Sequence, residues 1–194
     1  METVSMPTTP SKSQHVLVLN CGSSSLKFAI IDADNGHEII SGLAERLGSE
    51  NPSIKYKYQG DKTVITLAAN QAHGEAINTL VSLIKDHHLD EHLIAVGHRV
   101  VHGGEHFTQS ALVGEKVIAG ISDASSLAPL HGHANLLGIS SAQASFAGLP
   151  QVAVFDTAFH GGIILLFICY FDVAFSCYFS FLRFFVFFLL GVGE

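Results

Sequence analysis

Three groups of residues in this chain have the types and spacing to handle a small charged molecule. The first is Asn20-Cys21-Gly22-Ser23-Ser24-Ser25-Leu26-Lys27. Its glycine and serines make a turn without bulk, where backbone N–H groups, hydroxyls and one ammonium converge, as a nucleotide phosphate requires. Asn20 closes the preceding apolar run with a neutral oxygen able to hold a metal-bound water, and Lys27 is a point charge for phosphate oxygens. An ordinary β-hairpin would use the same glycine and serines for turn geometry alone. The second group is Gly97-His98-Arg99-Val100-Val101-His102-Gly103-Gly104. Arg99 stands in a mostly apolar stretch, and a buried charge needs a partner. Its planar fork suits a carboxylate or phosphoryl oxygens of a ligand, or equally an internal Asp or Glu, and the residues leave both open. His98 and His102 read as packing or capping groups, and Gly103 and Gly104 as backbone freedom. The third group is Val152-Ala153-Val154-Phe155-Asp156-Thr157-Ala158-Phe159-His160. An apolar strand delivering Asp156 at its end presents a carboxylate that can orient or deprotonate an acceptor, or neutralise a metal. Capping the next helix is the other reading of Asp156, and His160 reads as a helix-surface residue. Between these groups, Leu127-Ala128-Pro129-Leu130-His131 reads as an extended turn stiffened by proline. Leu130 is a candidate apolar wall for a methyl-sized group, with core packing as its default role.

The elements that must position these groups follow from periodicity. Residues 16–19, 28–31 and 38–44 read as an antiparallel meander, with Asp34-Asn35-Gly36 as a hairpin turn. Strands at 54–58 and 64–67 flank Gln59-Gly60-Asp61. Residues 72–86 place Ile77, Leu80, Val81 and Ile84 on one face of an amphipathic helix. A buried strand at 93–101, helices at 115–124 and 135–146, and a last strand at 152–155 complete the pattern. A meander followed by helix–strand alternation predicts an α/β fold, a mixed sheet with flanking helices. All three polar groups then lie at strand ends, where ligand sites of such sheets sit.

Composition narrows the function. The formal net charge of −7 gives no general attraction to nucleic acid or anionic lipid, so an acidic substrate must be held by local cations. The 3 cysteines, Cys21, Cys169 and Cys177, lack metal-ligand spacing, and so sparse a set fits a reducing, cytoplasmic compartment. The 12 histidines form no zinc signature. Residues 1–14 read as a flexible Ser/Thr/Pro-rich tail and 15–162 as a soluble α/β domain. From residue 163 to 190 the chain is nearly all apolar, with Asp172 and Arg183 its only charges, and 163–194 holds nine of the 14 phenylalanines. At ~1.5 Å per residue a helix of that length exceeds a bilayer core of ~30 Å. Against a membrane span, each of the two charges costs roughly 2.5–3.5 kcal/mol near a bilayer centre, and basic anchors are missing from the flanks. The preferred reading of 163–194 is out-of-frame or misjoined sequence foreign to the domain. A membrane anchor tethering a non-catalytic carboxylate-binding fragment is the second.

Together, Asn20 to Phe28, Gly97 to Glu105, Ala128 to His131 and Val154 to His160 closely resemble the N-terminal half of the acetate kinase family, in register from about residue 15 to residue 160. The family belongs to the acetate and sugar kinase, Hsp70 and actin superfamily, so the resemblance implies a ribonuclease-H-like core. It implies reversible transfer of the ATP γ-phosphoryl group to acetate, giving acetyl phosphate and ADP, with magnesium as cofactor. By the same resemblance Asn20 serves the magnesium site, and Ser23, Ser25 and Lys27 the ATP phosphates. Arg99 binds the substrate carboxylate, Val101 and Leu130 wall its methyl group, and Asp156 is catalytic. Two departures stand out. His131-Gly132-His133 replaces the usual His-Asn-Pro, and after His160 the chain reads Gly161-Gly162-Ile163-Ile164 where the family continues with a Gln-Thr-Met-Pro-type segment. The family's transition-state histidine and arginine, adenosine loops, second magnesium carboxylate and most of its homodimer interface lie beyond that point. The expectation is a truncated chain with no appreciable kinase activity alone. A propionate or butyrate kinase relative is the alternative within the same chemistry.

Overall fold

The structure is a computed structural model that describes residues 13–101, 107, 109–125 and 129–156, with no side-chain detail at 129–131. The expected apolar tail at 163–194, and His102, Gly103, Gly104 and His160, lie outside the described residues, as do the first twelve residues. The strands are β1 (His15–Cys21), β2 (Leu26–Asp32), β3 (Glu38–Glu45), β4 (Ser53–Tyr58), β5 (Asp61–Thr66), β6 (Leu93–Val100), β7 (Ala111–Leu112) and β8 (Gln151–Phe155). The α-helices are α1 (His73–Asp86), α2 (Glu115–Ala124) and α3 (Pro129–Ser145).

The strands form one mixed sheet in the order β5-β4-β3-β2-β1-β6-β8-β7. β1 to β5 are an antiparallel meander, while β6 runs parallel to both β1 and β8. The turns follow the sequence. Gly36 takes a φ of 71°, and Asp32 Oδ1 accepts a bond from the Asp34 N–H at 2.9 Å. Gln59 and Gly60 both have positive φ, 50° and 94°, as a two-residue turn matched to strand twist requires.

Strand alternation gives the sheet two unlike faces. On one, Leu17, Leu19, Phe28, Ile30 and Val96 pack under Ile77, Leu80 and Ile84 of α1. Val100, Ala153 and Phe155 on the same face pack against Val117 and Ile121 of α2 and Ile139 of α3. Each such large side chain, buried, contributes roughly 1.5–3 kcal/mol. On the other face Val16, Val18, Ala29, Ile31, Val152 and Val154 form a cluster drawn from strands, to which no described helix contributes. α1 begins with Glu75 accepting a bond from the Ala72 N–H at 3.1 Å.

Two expectations need correction. The segment at 127–131 is not an extended turn throughout: α3 opens at Pro129, ahead of the expected start at 135. Proline suits the first helical position because its missing N–H would be unpaired there and its φ is already helical. The sequence reading also contained no strand at 111–112, where β7 pairs antiparallel with β8. Among the described residues, no helix is long and apolar enough to cross a membrane.

Candidate functional site

The parallel strands β1, β6 and β8 all end on one edge of the sheet, and the chemistry collects there. Arg99 lies opposite Val154 in the β6–β8 register, so Asp156, two residues on, shares its face. The two form a forked ion pair. Arg99 Nε donates to Asp156 Oδ1 at 3.1 Å and to Oδ2 at 3.2 Å. Nη2 donates to Oδ2 at 2.8 Å. The internal-partner reading of Arg99 therefore holds. The pair is not sealed, since the side chains keep 31% and 18% of their surface exposed.

Asn20 and Lys27 are direct cross-strand partners. The β1–β6 ladder ends at Leu19 opposite His98, and Asn20 and Arg99 are the next residue on each strand. Alternation then sets Asn20, Lys27, Arg99 and Asp156 on the face to which no described helix contributes. The turn between β1 and β2 is tied down on several sides. Gly22 N–H donates to the Ser25 carbonyl at 2.8 Å and Leu47 N–H to that of Ser24 at 3.0 Å. The buried His73, at the start of α1, bonds through Nε2 to the Gly22 carbonyl at 2.7 Å. A Cβ on Gly22 would stand 2.9 Å from Ser25 Oγ, so a larger residue there would have to turn that hydroxyl aside. Ser23 is exposed and Ser25 half-buried, leaving the hydroxyl side of the bend open to an anion.

Val101 is half-buried just past β6, and its N–H donates to Asn135 Oδ1 at 3.3 Å. Asn135 Nδ2 also donates to the carbonyls of Cys21, at 3.1 Å, and Arg99, at 3.2 Å. Leu130 falls in the first turn of α3, its side chain outside the described residues. Sequence reasoning missed Asn135 and His73. The signal for Asn135 was a carboxamide within an apolar helical run, whereas nothing around His73 marked it.

Two groups near the site face away from it. His98 points to the helix-covered face, where its Nε2–H donates to Gln151 Oε1 at 2.6 Å. Burial pushes its pKa down to about 4, against the opposing effect of that bond. Burial likewise pushes the Cys21 thiol up to about 12, so it is a packing group and not a nucleophile.

Among the described residues, no group of three or more His, Cys, Asp or Glu could hold a metal ion. Among the described residues, the side-chain oxygens at the site include those of Asn20, the Ser23 and Ser25 hydroxyls and Asp156, the last engaged by Arg99. Such a set suits a hard cation that keeps its waters and takes further ligands from a bound phosphate, as magnesium does.

The sequence profile of the acetokinase family matches residues 15–170. Curated acetate kinases of Shewanella amazonensis and Shewanella loihica are 60% and 59% identical over 147 residues, covering 75% of this chain and 37% of each relative. The solved propionate kinase of Francisella tularensis superposes with a TM-score of 0.74 at 36% identity, covering 84% of this chain and 43% of that one. The Porphyromonas gingivalis acetate kinase gives 0.73 and 35% with the same coverage. The mixed sheet with flanking helices is thus a fold shared with these kinases. The chain spans well under half the length of the relatives it matches.

Proposed function

Since this chain belongs to the acetokinase family, we propose that its described fold is the carboxylate and phosphate side of an acetate kinase. The reading is carried by the Arg99–Asp156 fork lying beside the Gly22–Ser25 bend at the ends of parallel strands. In the proposed reaction an acetate oxygen attacks the γ-phosphorus of ATP, the bond to the ADP oxygen breaks, and acetyl phosphate leaves. The transfer depends on positioning and charge neutralisation more than on covalent help from the protein. Arg99 takes the acetate carboxylate and offsets its repulsion from the phosphates. Val101 and Leu130 wall the methyl group. Ser23, Ser25 and Lys27 hold phosphate oxygens. Acetate is already ionised near neutral pH, so Asp156 is not needed to deprotonate it; it fixes the plane of the guanidinium and orients the acceptor. Asn20 would hold a bound magnesium through water, and that ion supplies charge neutralisation on the phosphates.

Calorimetry on the 194-residue chain tests this. Arg99→Ala is expected to weaken acetate binding by roughly 100-fold, as loss of charge-assisted bonds does, while the fold persists. Affinity unchanged by the substitution would remove acetate from this site. An acetyl phosphate assay with ATP and magnesium measures turnover beside these affinities. A second reading, propionate as acceptor, is favoured by the likeness to a propionate kinase, and tighter binding of propionate than acetate would select it. The cytoplasm is the proposed compartment, from the sparse cysteines.

A further inference from the structure

The parallel ladder between β1 and β6 stops at Leu19 opposite His98, although β1 continues to Cys21 and β6 to Val100. Past that point the strands need other partners, because buried backbone groups without hydrogen bonds are costly. One side chain reaches into the gap. Asn135 donates from Nδ2 to the carbonyls of Cys21 and Arg99, at 3.1 and 3.2 Å, and accepts at Oδ1 from the Val101 N–H at 3.3 Å. It is only 4% exposed. A carboxamide carries donor and acceptor on one planar end, so it replaces the missing rungs much as a peptide unit would. Its helix is held close to the same strand, since a Cβ on Gly138 would collide with Cys21 Sγ. Asn135 and Gly138, three apart, share a helix face, and both meet Cys21.

We propose that Asn135 is the positioning residue of this site, a spacer that holds the parting ends of β1 and β6 at a set separation. It thereby fixes the distance from the Gly22–Ser25 bend to Arg99, which is the distance between bound phosphate and bound carboxylate. The role at the ligand rests on the reading of Arg99 as the acetate-binding group. α3 carries Leu130 in its first turn and Asn135 about one and a half turns on, so the pocket wall and the strand ends move as one body. Asparagine is the side chain this requires. Aspartate would set a charge against two carbonyls, alanine would remove all three bonds, and glutamine would add a methylene to the gap.

The test uses the 194-residue chain with Asn135→Asp, Asn135→Gln and Asn135→Ala. Acetate and magnesium–ATP affinities are measured by calorimetry, and exchange of the Val101 amide by NMR. In Asn135→Asp the acceptor survives, so Val101 is expected to stay protected while acetate affinity falls about tenfold with the lost donors. Retained protection of Val101 together with lost acetate affinity is a combination that mere loosening of the fold would not give. A folded Asn135→Asp chain with acetate affinity within about twofold of the unsubstituted chain would overturn the proposal. If that variant does not fold, Asn135→Gln decides on the same criterion, because it keeps both kinds of bond and changes only the spacing. If the unsubstituted chain binds no acetate, the functional reading fails by itself. The spacer is then judged by Asn135→Ala, where Val101 exchange is expected to accelerate about tenfold and unchanged protection would refute it.

Discussion

On the face of the sheet bearing Leu17, Phe28 and Phe155, described helices cover apolar side chains almost completely. The opposite face bears a smaller apolar cluster made by strands, and at its carboxyl edge stand Asn20, Lys27, Arg99 and Asp156. Both faces are written in the same strands, one residue out of phase. Phe155 packs into the core and Asp156, its neighbour, pairs with Arg99. The packed core and the polar edge are thus separated by strand alternation and not by distance along the chain. A one-residue slip of β8 would exchange the two roles.

The separation can be broken from the stable side first. Phe155 is 1% exposed and stacks on Phe107 with ring centroids 4.8 Å apart. Phe155→Ala is expected to cost about 3–5 kcal/mol in urea unfolding. A loss under about 1 kcal/mol would show that the helix-covered face is not where stability is concentrated.

His98 sharpens the comparison with pH. Its folded pKa of about 4 lies below its ordinary 6.5, so the unfolded chain binds the extra proton between those values. Stability is full above about pH 6.5 and is lost as the pH falls toward 4, by an amount on the order of 3 kcal/mol. His98→Gln should flatten that part of the profile in pH-dependent denaturation, and an unchanged slope would show that another group governs it.

The smallest effect belongs to the site edge. Ser23 is exposed in the bend, so Ser23→Ala should change stability by no more than about 0.5 kcal/mol. In titrations with magnesium–ATP it should still weaken binding a few-fold. Destabilisation comparable to Phe155→Ala would erase the distinction between the faces.

The sheet was legible because its signals are local. Alternation, the Asp34-Asn35-Gly36 turn and the apolar stripe of α1 each need only a few neighbouring residues. What escaped depends on contacts distant in sequence. The β7 strand is two residues long and exists only because β8 lies beside it. Pro129 is compatible with either a turn or a helix start. Arg99 has one chemistry whether its partner is a ligand or Asp156, 57 positions away, so its surroundings could not decide. Asn135 bonds to Cys21, Arg99 and Val101, which lie 114, 36 and 34 positions away, and no local pattern encodes such contacts.

The fork between Arg99 and Asp156 means that the guanidinium already has a carboxylate at hand before any substrate arrives. Any acid approaching Arg99 would meet a tethered rival whose local concentration is set by the fold and does not dilute. If Arg99 is the acetate-binding group, as proposed, that competition would weaken capture of small acids and speed their release.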